Sequence, residues 1–296
     1  MLSEETIRDY RKAGNISHKA LQYGASLVKP GVLIRDVADK IEEYIIKNGC
    51  GMAFPVNISM NQTAAHDTAF PDDTRAFNDE IIKLDVGAHY NGYVGDNALT
   101  IDLSQKYTDL VKASQNALNN AIKIVAPGIT LGEIGKTIQE TIESEGFVPV
   151  RNLSGHQVDR FQIHCGYSIP NYATNDAREL KEGMVIAIEP FATNGEGLIG
   201  EKGDPAIFSR ISSRPTRNMI SRNVIKEIEH YSTLPFASRW LQKKLSISQI
   251  NFGIKDLLKN RIIEKYPPLV ERQNGMVSQA ENTIIVGEKT EIITKE

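Results

Sequence analysis

The clearest pattern in this sequence is a pair of apolar, strand-like runs that Asn91-Gly92 separates. The runs cover residues 81–90 and 93–101. Asn-Gly between two such runs is a strong hairpin signal, because both turn residues must take positive φ. Asp85 lies in the first run and Asp96 in the second. The sequence therefore predicts an antiparallel β-hairpin with one aspartate on each strand.

The register of this hairpin decides where the two aspartates point. With a two-residue loop, Asp85 pairs with Ala98 and Asp96 pairs with Gly87. Side chains alternate along a strand, so both carboxylates lie on one face, one diagonal step apart. They repel each other unless a cation or a shared proton intervenes, and Gly87 leaves room beside Asp96. We interpret the pair as part of a metal site, whereas a single strand aspartate can equally face solvent or cap a turn.

A second pattern is an internal repeat at an offset of 97 residues. Each copy contains a helical pattern, a Pro-Gly turn, a second helical pattern and a glycine stop, and β-rich sequence follows. This order predicts an α+β domain with pseudo-two-fold symmetry, an antiparallel sheet core and outer helices. The matching positions are Ala20-Leu21 and Ala117-Leu118, Val28 and Val125, Pro30-Gly31 and Pro127-Gly128, Ile34 and Leu131, Ile41 and Ile138, Ile45 and Ile142, and Gly49 and Gly146.

The segment 205–266 interrupts the repeat. We interpret it as a helical subdomain inserted into a catalytic domain of residues 1–204 and 267–296. Residues 206–266 hold twelve lysines and arginines against four acids, a local charge of +8 in a chain of net charge −3. Short basic helices also suggest a helix-turn-helix, but the sequence offers no recognition helix, so we do not predict DNA binding. The predicted helices are 221–230, 235–244 and 248–259.

Composition limits the remaining possibilities. A chain of 296 residues with 41% hydrophobic content can bury a full core. No apolar run is long enough to span a membrane, and the acidic N-terminal residues do not resemble a signal peptide. Cys50 and Cys165 are expected to be free thiols in the cytoplasm. Cys165 follows His164, but neighbouring strand residues face opposite sides, so a cysteine nucleophile is not expected.

Further candidates for the metal site lie outside the hairpin. His156 follows Ser154-Gly155, which suits a close backbone approach, and His66 follows two alanines. Glu189 ends an apolar run and Glu281 precedes another. A carboxylate on an apolar strand is costly to bury without a compensating charge. Four carboxylates and a histidine together match an oxygen-rich dinuclear site for Mn, Fe, Co or Zn.

These residues lie within motifs that carry a family resemblance. The chain resembles the type 2 methionine aminopeptidases of the pita-bread metallopeptidase superfamily over essentially its whole length, including the insertion. The order and spacing of the motifs together are highly specific. The matching stretches are 52–57 (MAFPVN), 64–68 (AAHDT), 83–96 (KLDVGAHYNGYVGD), 154–166 (SGHQVDRFQIHCG), 187–191 (AIEPF), 234–241 (LPFASRWL), 266–269 (YPPL) and 279–286 (QAENTIIV).

The resemblance implies a pita-bread fold with a winged-helix-like insertion and two divalent metal ions. Asp85 and Asp96 match two aspartate ligands, and Asp96 matches the one that bridges both ions. His156 and Glu189 match ligands of one ion, and Glu281 matches a second bridging carboxylate. Glu189 also matches the general base that acts on the metal-bridging water.

The resemblance also implies how substrate is bound. His66 and His164 match histidines that contact the scissile amide and the developing oxyanion. One departure is Asn282, where many members of the family have histidine. On a strand this side chain would point away from Glu281, so we expect altered support of the site and retained activity. Positions that match the methionine side-chain pocket are Phe54, Pro55, Ile163 and Tyr266.

The implied activity is removal of the N-terminal methionine from nascent proteins with a small second residue, by attack of a metal-bridging hydroxide. The closest alternative is an Xaa-Pro aminopeptidase or prolidase, which shares fold and ligands but usually has an extra N-terminal domain. Another alternative is a non-catalytic ribosome- or RNA-binding relative, a class that typically loses ligands. We expect a cytoplasmic monomer that acts on peptide N-termini. The basic insertion is either a surface that docks on ribosomal RNA or a solvated face unrelated to RNA.

Overall fold

The structure is a computed structural model that describes residues 2–295. The α-helices in this range are α1 Glu4–Leu27, α2 Ile34–Lys47, α3 Thr108–Ile124, α4 Leu131–Ser144, α5 Met219–Ile228 and α6 Ile247–Lys259, and short 3₁₀ helices cover Glu229–Tyr231 and Ser238–Lys243. The strands are β1 Gly51–Met52, β2 Asn57–Met60, β3 Thr63–Ala65, β4 Ile81–Tyr90, β5 Tyr93–Asp102, β6 Val148–Pro149, β7 Ser154–Asp159, β8 Gln162–Pro170, β9 Val185–Ile188, β10 Phe191–Thr193, β11 Ile199–Glu201, β12 Ile207–Arg210, β13 Phe236–Ala237, β14 Ile263–Tyr266, β15 Leu269–Glu271, β16 Val277–Gln279, β17 Glu281–Ile285 and β18 Glu291–Ile292.

The central element is a nine-stranded antiparallel sheet. Its main order is β1-β4-β5-β17-β9-β7-β8, while β2 also pairs with β4 and β18 with β17. The hairpin β4–β5 lies towards one end of this order and the hairpin β7–β8 lies at the other. Three smaller sheets have the orders β16-β10-β6, β11-β15-β3 and β13-β12-β14.

Each half of the central sheet is covered by one pair of helices. Helices α1 and α2 form a core cluster with β2 and β4, which includes Ile41 and Leu84. Helices α3 and α4 form a second cluster with β8, β9 and β17, which includes Ile138 and Ile186. The two helix pairs are the two copies of the sequence repeat. The predicted α+β architecture with pseudo-two-fold symmetry and outer helices is confirmed.

Small residues allow α1 to lie directly on the hairpin β4–β5. The helix begins after Ser3, whose Oγ accepts a hydrogen bond from the backbone N–H of Thr6. Its buried positions recur at three- and four-residue spacing, as expected for a helix with one apolar face. A Cβ atom built at Gly95 of β5 would lie 2.5 Å from backbone atoms of Gly14 in α1. The glycines therefore set the distance between the helix and the sheet.

The hairpin has the register that the sequence predicts. Asp85 pairs with Ala98, and Asp96 pairs with Gly87. The turn residues Asn91 and Gly92 have φ values of 51° and 92°, as a two-residue turn with two positive φ angles requires.

The insertion differs in part from the prediction. Helices α5 and α6 lie where two helices were expected, but the predicted helix 235–244 is wrong. This stretch begins with β13, in which Phe236 pairs with Phe208 of β12, and continues as a 3₁₀ helix. Pairing with a strand distant in sequence overrides the local helical pattern.

The insertion has a hydrophobic core of its own. Strand β12, near the start of the insertion, pairs with β14 at its end, so the two ends of the insertion lie next to each other. Buried side chains of this sheet and of α5 and α6 form one cluster, which includes Phe208, Val224 and Leu257. The domain boundaries 1–204, 205–266 and 267–296 stay a prediction.

Two further expectations concern the membrane and the cysteines. Within residues 2–295, no helix combines the length and the apolar character that a bilayer span requires. Cys50 is buried and Cys165 is half-buried, and both are free thiols.

We predict that Gly95→Ala destabilises the fold. The added methyl group must displace the backbone of α1, and overpacking of this kind costs about 1–3 kcal/mol. Urea denaturation monitored by circular dichroism measures the change in stability. Gly200→Ala is the matched control, because a Cβ there meets only side-chain atoms at 3.7 Å or more. Equal stability of the two variants would show that helix α1 can move away from the sheet at little cost.

Candidate metal centre

Five neighbouring strands bring the predicted ligands to one place. Strands β4, β5, β17, β9 and β7 are consecutive in the central sheet. In that order they carry Asp85, Asp96, Glu281, Glu189 and His156, with Glu189 directly after the end of β9. The register Asp85–Ala98–Glu281 across three strands puts two of the carboxylates in one row. The site thus draws its residues from both halves of the pseudo-symmetric fold.

The side chains converge around the imidazole of His156. Its Nε2 atom lies 3.7 Å from Asp96 Oδ2, 3.8 Å from Glu189 Oε1 and 3.9 Å from Glu281 Oε1. These distances are too long for hydrogen bonds. Donor atoms of Asp96, His156 and Glu281 all lie within 4.8 Å of one another, which suits shared coordination of a cation. Asp85 completes the group at the end of the row.

Unpartnered oxygen atoms indicate what the cluster can bind. Among the described residues, Asp85 Oδ1, Asp96 Oδ1 and Glu281 Oε1 are buried and accept no hydrogen bond. The side chain of Gln279 makes only long contacts, at 3.4 Å to Glu189 Oε2 and 3.5 Å to Glu281 Oε2. Buried charges are normally paired or bound to metal. Carboxylate oxygens with one imidazole form a donor set that fits divalent cations such as Mn, Fe, Co or Zn.

The electrostatics of the cluster point the same way. Desolvation raises the pKa of Asp85 to about 7 and raises the pKa values of Asp96, Glu189 and Glu281, and the charges of neighbouring carboxylates add to the last three shifts. Burial, and then the charge of His164, lowers the pKa of His156 to about 3. A neutral imidazole is the form that ligates metals. A bound cation would favour ionised carboxylates.

Two more histidines face the site. The rings of His164 and His156 meet edge to face, with 4.4 Å between their centroids. His66 follows β3 with a φ of 63°, and its backbone N–H donates to Asn57 Oδ1 at 2.8 Å. Desolvation, and then the charge of His164, lowers the pKa of His66 to about 4. His66 is therefore a neutral imidazole near pH 7.

A cavity of about 590 Å³ lies over this cluster. Phe54, Ile163 and Tyr266 line it, as does each predicted ligand. The ring of Tyr266 lies edge to face with His66, at 5.6 Å between centroids. Pro55, which the resemblance also assigned to this pocket, does not line the cavity. Other apolar residues of the wall are Ala65, Leu153, Phe161, Phe191, Ile207, Leu234, Pro235 and Leu269.

One detail of the sequence interpretation is wrong. The space over Gly87 was expected to lie open beside Asp96, but the ring of Phe54 fills it. A Cβ atom at Gly87 would lie 2.2 Å from Phe54 Cε1. The close backbone approach expected at Gly155 is confirmed, since a Cβ there would meet the carbonyl oxygen of Ala187 at 2.4 Å.

Several residues that support the site were missed. Thr283 Oγ1 accepts a hydrogen bond from the backbone N–H of Asp96 and donates to its carbonyl, both at 2.8 Å. Gln279 could have been found, because it precedes Glu281 by two residues and so shares its face. Thr233, Leu234 and Ile207 of the insertion reach the cavity only through tertiary contact. Asn282 stays outside the cavity, and its Oδ1 accepts a hydrogen bond from Thr294 at 2.9 Å.

Comparison with known proteins is decisive for the family. The model of metallopeptidase family M24 matches residues 8–215. The chain belongs to metallopeptidase family M24. A methionine aminopeptidase of Archaeoglobus fulgidus is 43% identical to this metallopeptidase over 295 residues, which cover 99% of both chains.

Two solved structures have the same fold. Methionine aminopeptidase of Thermotoga maritima has a TM-score of 0.73 and 26% identity, and the match covers 100% of this chain and 98% of that one. A thermophilic Arx1 has a TM-score of 0.86 and 17% identity, with 99% and 91% covered. The predicted pita-bread fold is confirmed. As an M24 metallopeptidase, the protein is a hydrolase that depends on divalent metal.

We predict that Asp85→Asn stabilises the ion-free protein increasingly as pH rises. A carboxyl whose pKa is raised in the folded state stabilises the fold below its ordinary value of 3.8, and this contribution is lost as pH rises through about 7. Relative to wild type, the variant should gain on the order of 4 kcal/mol between these limits, since each unit of pKa shift corresponds to about 1.4 kcal/mol. Urea denaturation in chelator at several pH values measures the gain.

The exposed Asp79 supplies the control. Asp79→Asn is the same substitution at a position that is exposed and does not line the cavity, and any effect that it shows is subtracted from that of Asp85→Asn. Added Mn should stabilise wild type more than Asp85→Asn. If the difference in unfolding free energy between wild type and Asp85→Asn did not vary with pH, the carboxyl of Asp85 would not have a raised pKa in the folded protein, and the prediction would be contradicted.

Proposed function

We propose that this metallopeptidase is a type 2 methionine aminopeptidase, which removes the N-terminal methionine from proteins with a small second residue. The observation that carries the proposal is the cluster of five ligand-type side chains on adjacent strands beneath an apolar cavity. The name and the full-length match of the Archaeoglobus fulgidus relative support the reaction. The insertion 205–266 contributes part of the cavity wall, which supports assignment to type 2.

The cavity wall suits the side chain of methionine. Phe54, Ile163 and Tyr266 offer two aromatic rings and one branched aliphatic chain around the space above the cluster. An unbranched thioether fills such a space flexibly and makes favourable sulfur–aromatic contacts. The hydroxyl of Tyr266 makes hydrogen bonds with Ser209 Oγ and Glu264 Oε1, at 3.1 and 2.8 Å. The ring is therefore fixed by its polar end.

The acidic floor explains cleavage at a chain terminus. Asp85, Asp96, His156, Glu189 and Glu281 would hold two divalent ions. Once bound, these ions supply Lewis-acid chemistry, by lowering the pKa of water and polarising a carbonyl oxygen. The free amine of residue one would ligate one of these ions or pair with a carboxylate of the site. An internal peptide nitrogen can do neither, so an exopeptidase results.

Protein side chains then move the protons of the reaction. Glu189 accepts a proton from the attacking water and delivers it to the nitrogen of the leaving amide. His66 and His164 face the same cavity and donate hydrogen bonds to the scissile amide and to the oxyanion that develops on its carbonyl oxygen. The lowered pKa of His66 keeps its imidazole neutral, so it acts as a hydrogen-bond donor without titrating near pH 7.

We predict metal-dependent release of free methionine from a Met-Ala-Ser peptide. Metal-stripped protein should be inactive, and Mn or Co should restore activity. Glu189→Gln should lower kcat by about two to four orders of magnitude, because the variant has no proton acceptor at this position. The exposed Glu182→Gln is the control and should remain active. Mass spectrometry of the released amino acid measures both.

A proline-containing substrate separates the alternatives. Cleavage of an Xaa-Pro peptide while Met-Ala-Ser stays intact would reassign the chain to the Xaa-Pro aminopeptidases or prolidases. Failure to hydrolyse either peptide with any metal would favour the non-catalytic, RNA-binding alternative.

We further propose that the enzyme acts as a cytoplasmic monomer on nascent chains and docks on ribosomal RNA through the insertion. Most of the basic side chains of this segment are exposed, and none of the exposed ones lines the cavity. They could therefore contact phosphates without obstructing the active site. The exposed cations are Arg214, Arg217, Arg222, Lys226, Lys243, Lys244, Lys255, Lys259, Arg261 and Lys265.

We predict salt-sensitive co-sedimentation with ribosomes. The double substitution Lys255→Glu/Lys259→Glu should weaken binding, and the slope of log affinity against log salt should fall by about one for each phosphate that the variant no longer binds. Release of methionine from a free peptide should not change. Lys19→Glu/Lys112→Glu, on exposed helix positions outside the insertion, is the control. Absence of co-sedimentation even at low salt would refute docking.

A further inference from the structure

A buried arginine joins the insertion to the catalytic part of the chain. Arg239, in the 3₁₀ helix Ser238–Lys243, is only 3% exposed. Its guanidinium donates to Asp39 Oδ1 at 3.1 Å, to Thr68 Oγ1 at 3.0 Å and to Glu42 Oε1. The neighbouring Trp240 donates from Nε1 to Glu42 Oε2 at 2.7 Å. We call these five residues, Asp39, Glu42, Thr68, Arg239 and Trp240, the Arg239 junction.

The Arg239 junction binds both backbone polar groups of Val56. The N–H of Val56 donates to Glu42 Oε1 at 3.2 Å. The carbonyl of Val56 accepts a hydrogen bond from Thr68 Oγ1 at 2.7 Å. Arg239 donates hydrogen bonds to both Glu42 and Thr68. Its planar guanidinium therefore fixes the two side chains that bind the backbone of Val56.

Hydrogen bonds continue from Val56 to the cavity. The next residue, Asn57, donates from Nδ2 to the carbonyl of Pro55 at 2.8 Å and accepts the backbone N–H of His66 at Oδ1, also at 2.8 Å. The chain from Pro55 to Asn57 follows Phe54, whose ring lines the cavity. Both ends of this short path therefore carry a side chain that faces substrate.

The conformation of His66 depends on such support. A φ of 63° is uncommon for a residue other than glycine and persists only when surrounding structure holds it. The two residues that follow His66 supply that structure. The backbone carbonyl of Asp67 accepts a hydrogen bond from the N–H of Ile58 at 2.7 Å, and Thr68 is part of the Arg239 junction.

We propose that Arg239 is a positioning residue for the active site, which acts through Glu42, Thr68 and Val56 to place Phe54 and His66. The insertion is then a working part of the catalytic site. This inference rests on the proposed aminopeptidase function for its kinetic consequences, but the hydrogen-bond path exists whichever substrate is cleaved. A purely structural ion pair would stabilise the fold without affecting the reaction.

Thr68 offers the sharpest test, because it can be altered without leaving a buried charge unpaired. Thr68→Val keeps the side-chain volume and removes the hydroxyl that links Arg239 to Val56. We expect kcat/KM for a methionyl peptide to fall about tenfold to a hundredfold, the scale of a small misplacement of catalytic groups. Thr68→Ser restores the hydroxyl and should stay within about twofold of wild type. Arg239→Lys should resemble Thr68→Val, since a single ammonium nitrogen cannot reach the three separate acceptors that Nε, Nη1 and Nη2 of the guanidinium contact.

A control in the insertion separates positioning from stability. Ser221 is fully buried there, and its Oγ donates to Asp256 Oδ2 at 2.5 Å. Ser221→Ala should lower the unfolding midpoint while kcat and KM remain those of wild type. The single tryptophan of the chain, Trp240, reports on the junction directly. Its emission should shift in Arg239→Lys and stay unchanged in Ser221→Ala.

Hydrogen exchange gives a readout that needs no substrate. In Thr68→Val the amide of His66 should exchange faster, while amides of the hairpin β4–β5 keep wild-type protection. Wild-type kinetics and exchange in both Thr68→Val and Arg239→Lys would overturn the proposal, as would a decrease in activity that merely parallels Ser221→Ala. If wild type releases no methionine, the proposed function fails, and exchange at His66 still decides the positioning role.

Discussion

Mutual repulsion among four carboxylates on one face of the central sheet is the constraint on which the rest of the structure depends. Asp85, Asp96, Glu189 and Glu281 lie on four adjacent strands, and His156 on a fifth. Desolvation raises the pKa values of all four acids, and like charge adds to the shifts of Asp96, Glu189 and Glu281, so holding them together has a cost that a divalent cation would remove. The family's dependence on metal follows from this arrangement.

Such a cluster can persist only on a rigid support. Thr283 makes two hydrogen bonds to the backbone of Asp96 and so ties β17 to β5 beside the acids. Gly155 allows β7 to approach β9 closely, and Gly14 against Gly95 lets α1 cover the hairpin without a gap. The two halves of the pseudo-symmetric fold thus contribute strands to one continuous sheet, and the site lies where the strands of the two halves meet.

The insertion has an inner surface that faces the cavity and an outer surface that faces solvent. Its inner residues Ile207, Leu234 and Pro235 complete the apolar wall of the cavity. Its outer helices carry exposed cations, which suit a polyanionic partner. Arg239 differs from those cations, because it is buried against Glu42 and Asp39. The cavity wall, the exposed cations and the buried contact with helix α2 therefore occupy separate surfaces of one segment.

The sequence by itself determined the hairpin register and the repeat. Asn91-Gly92 admits one tight turn, and the two-residue period of a strand then puts Asp85 and Asp96 on one face. Local patterns could not predict that the ring of Phe54 fills the space over Gly87, or that 235–244 begins as a strand. Nor could the composition of a basic segment reveal that Arg239 is buried. Only the tertiary structure decided these features, because each depends on packing between residues far apart in sequence.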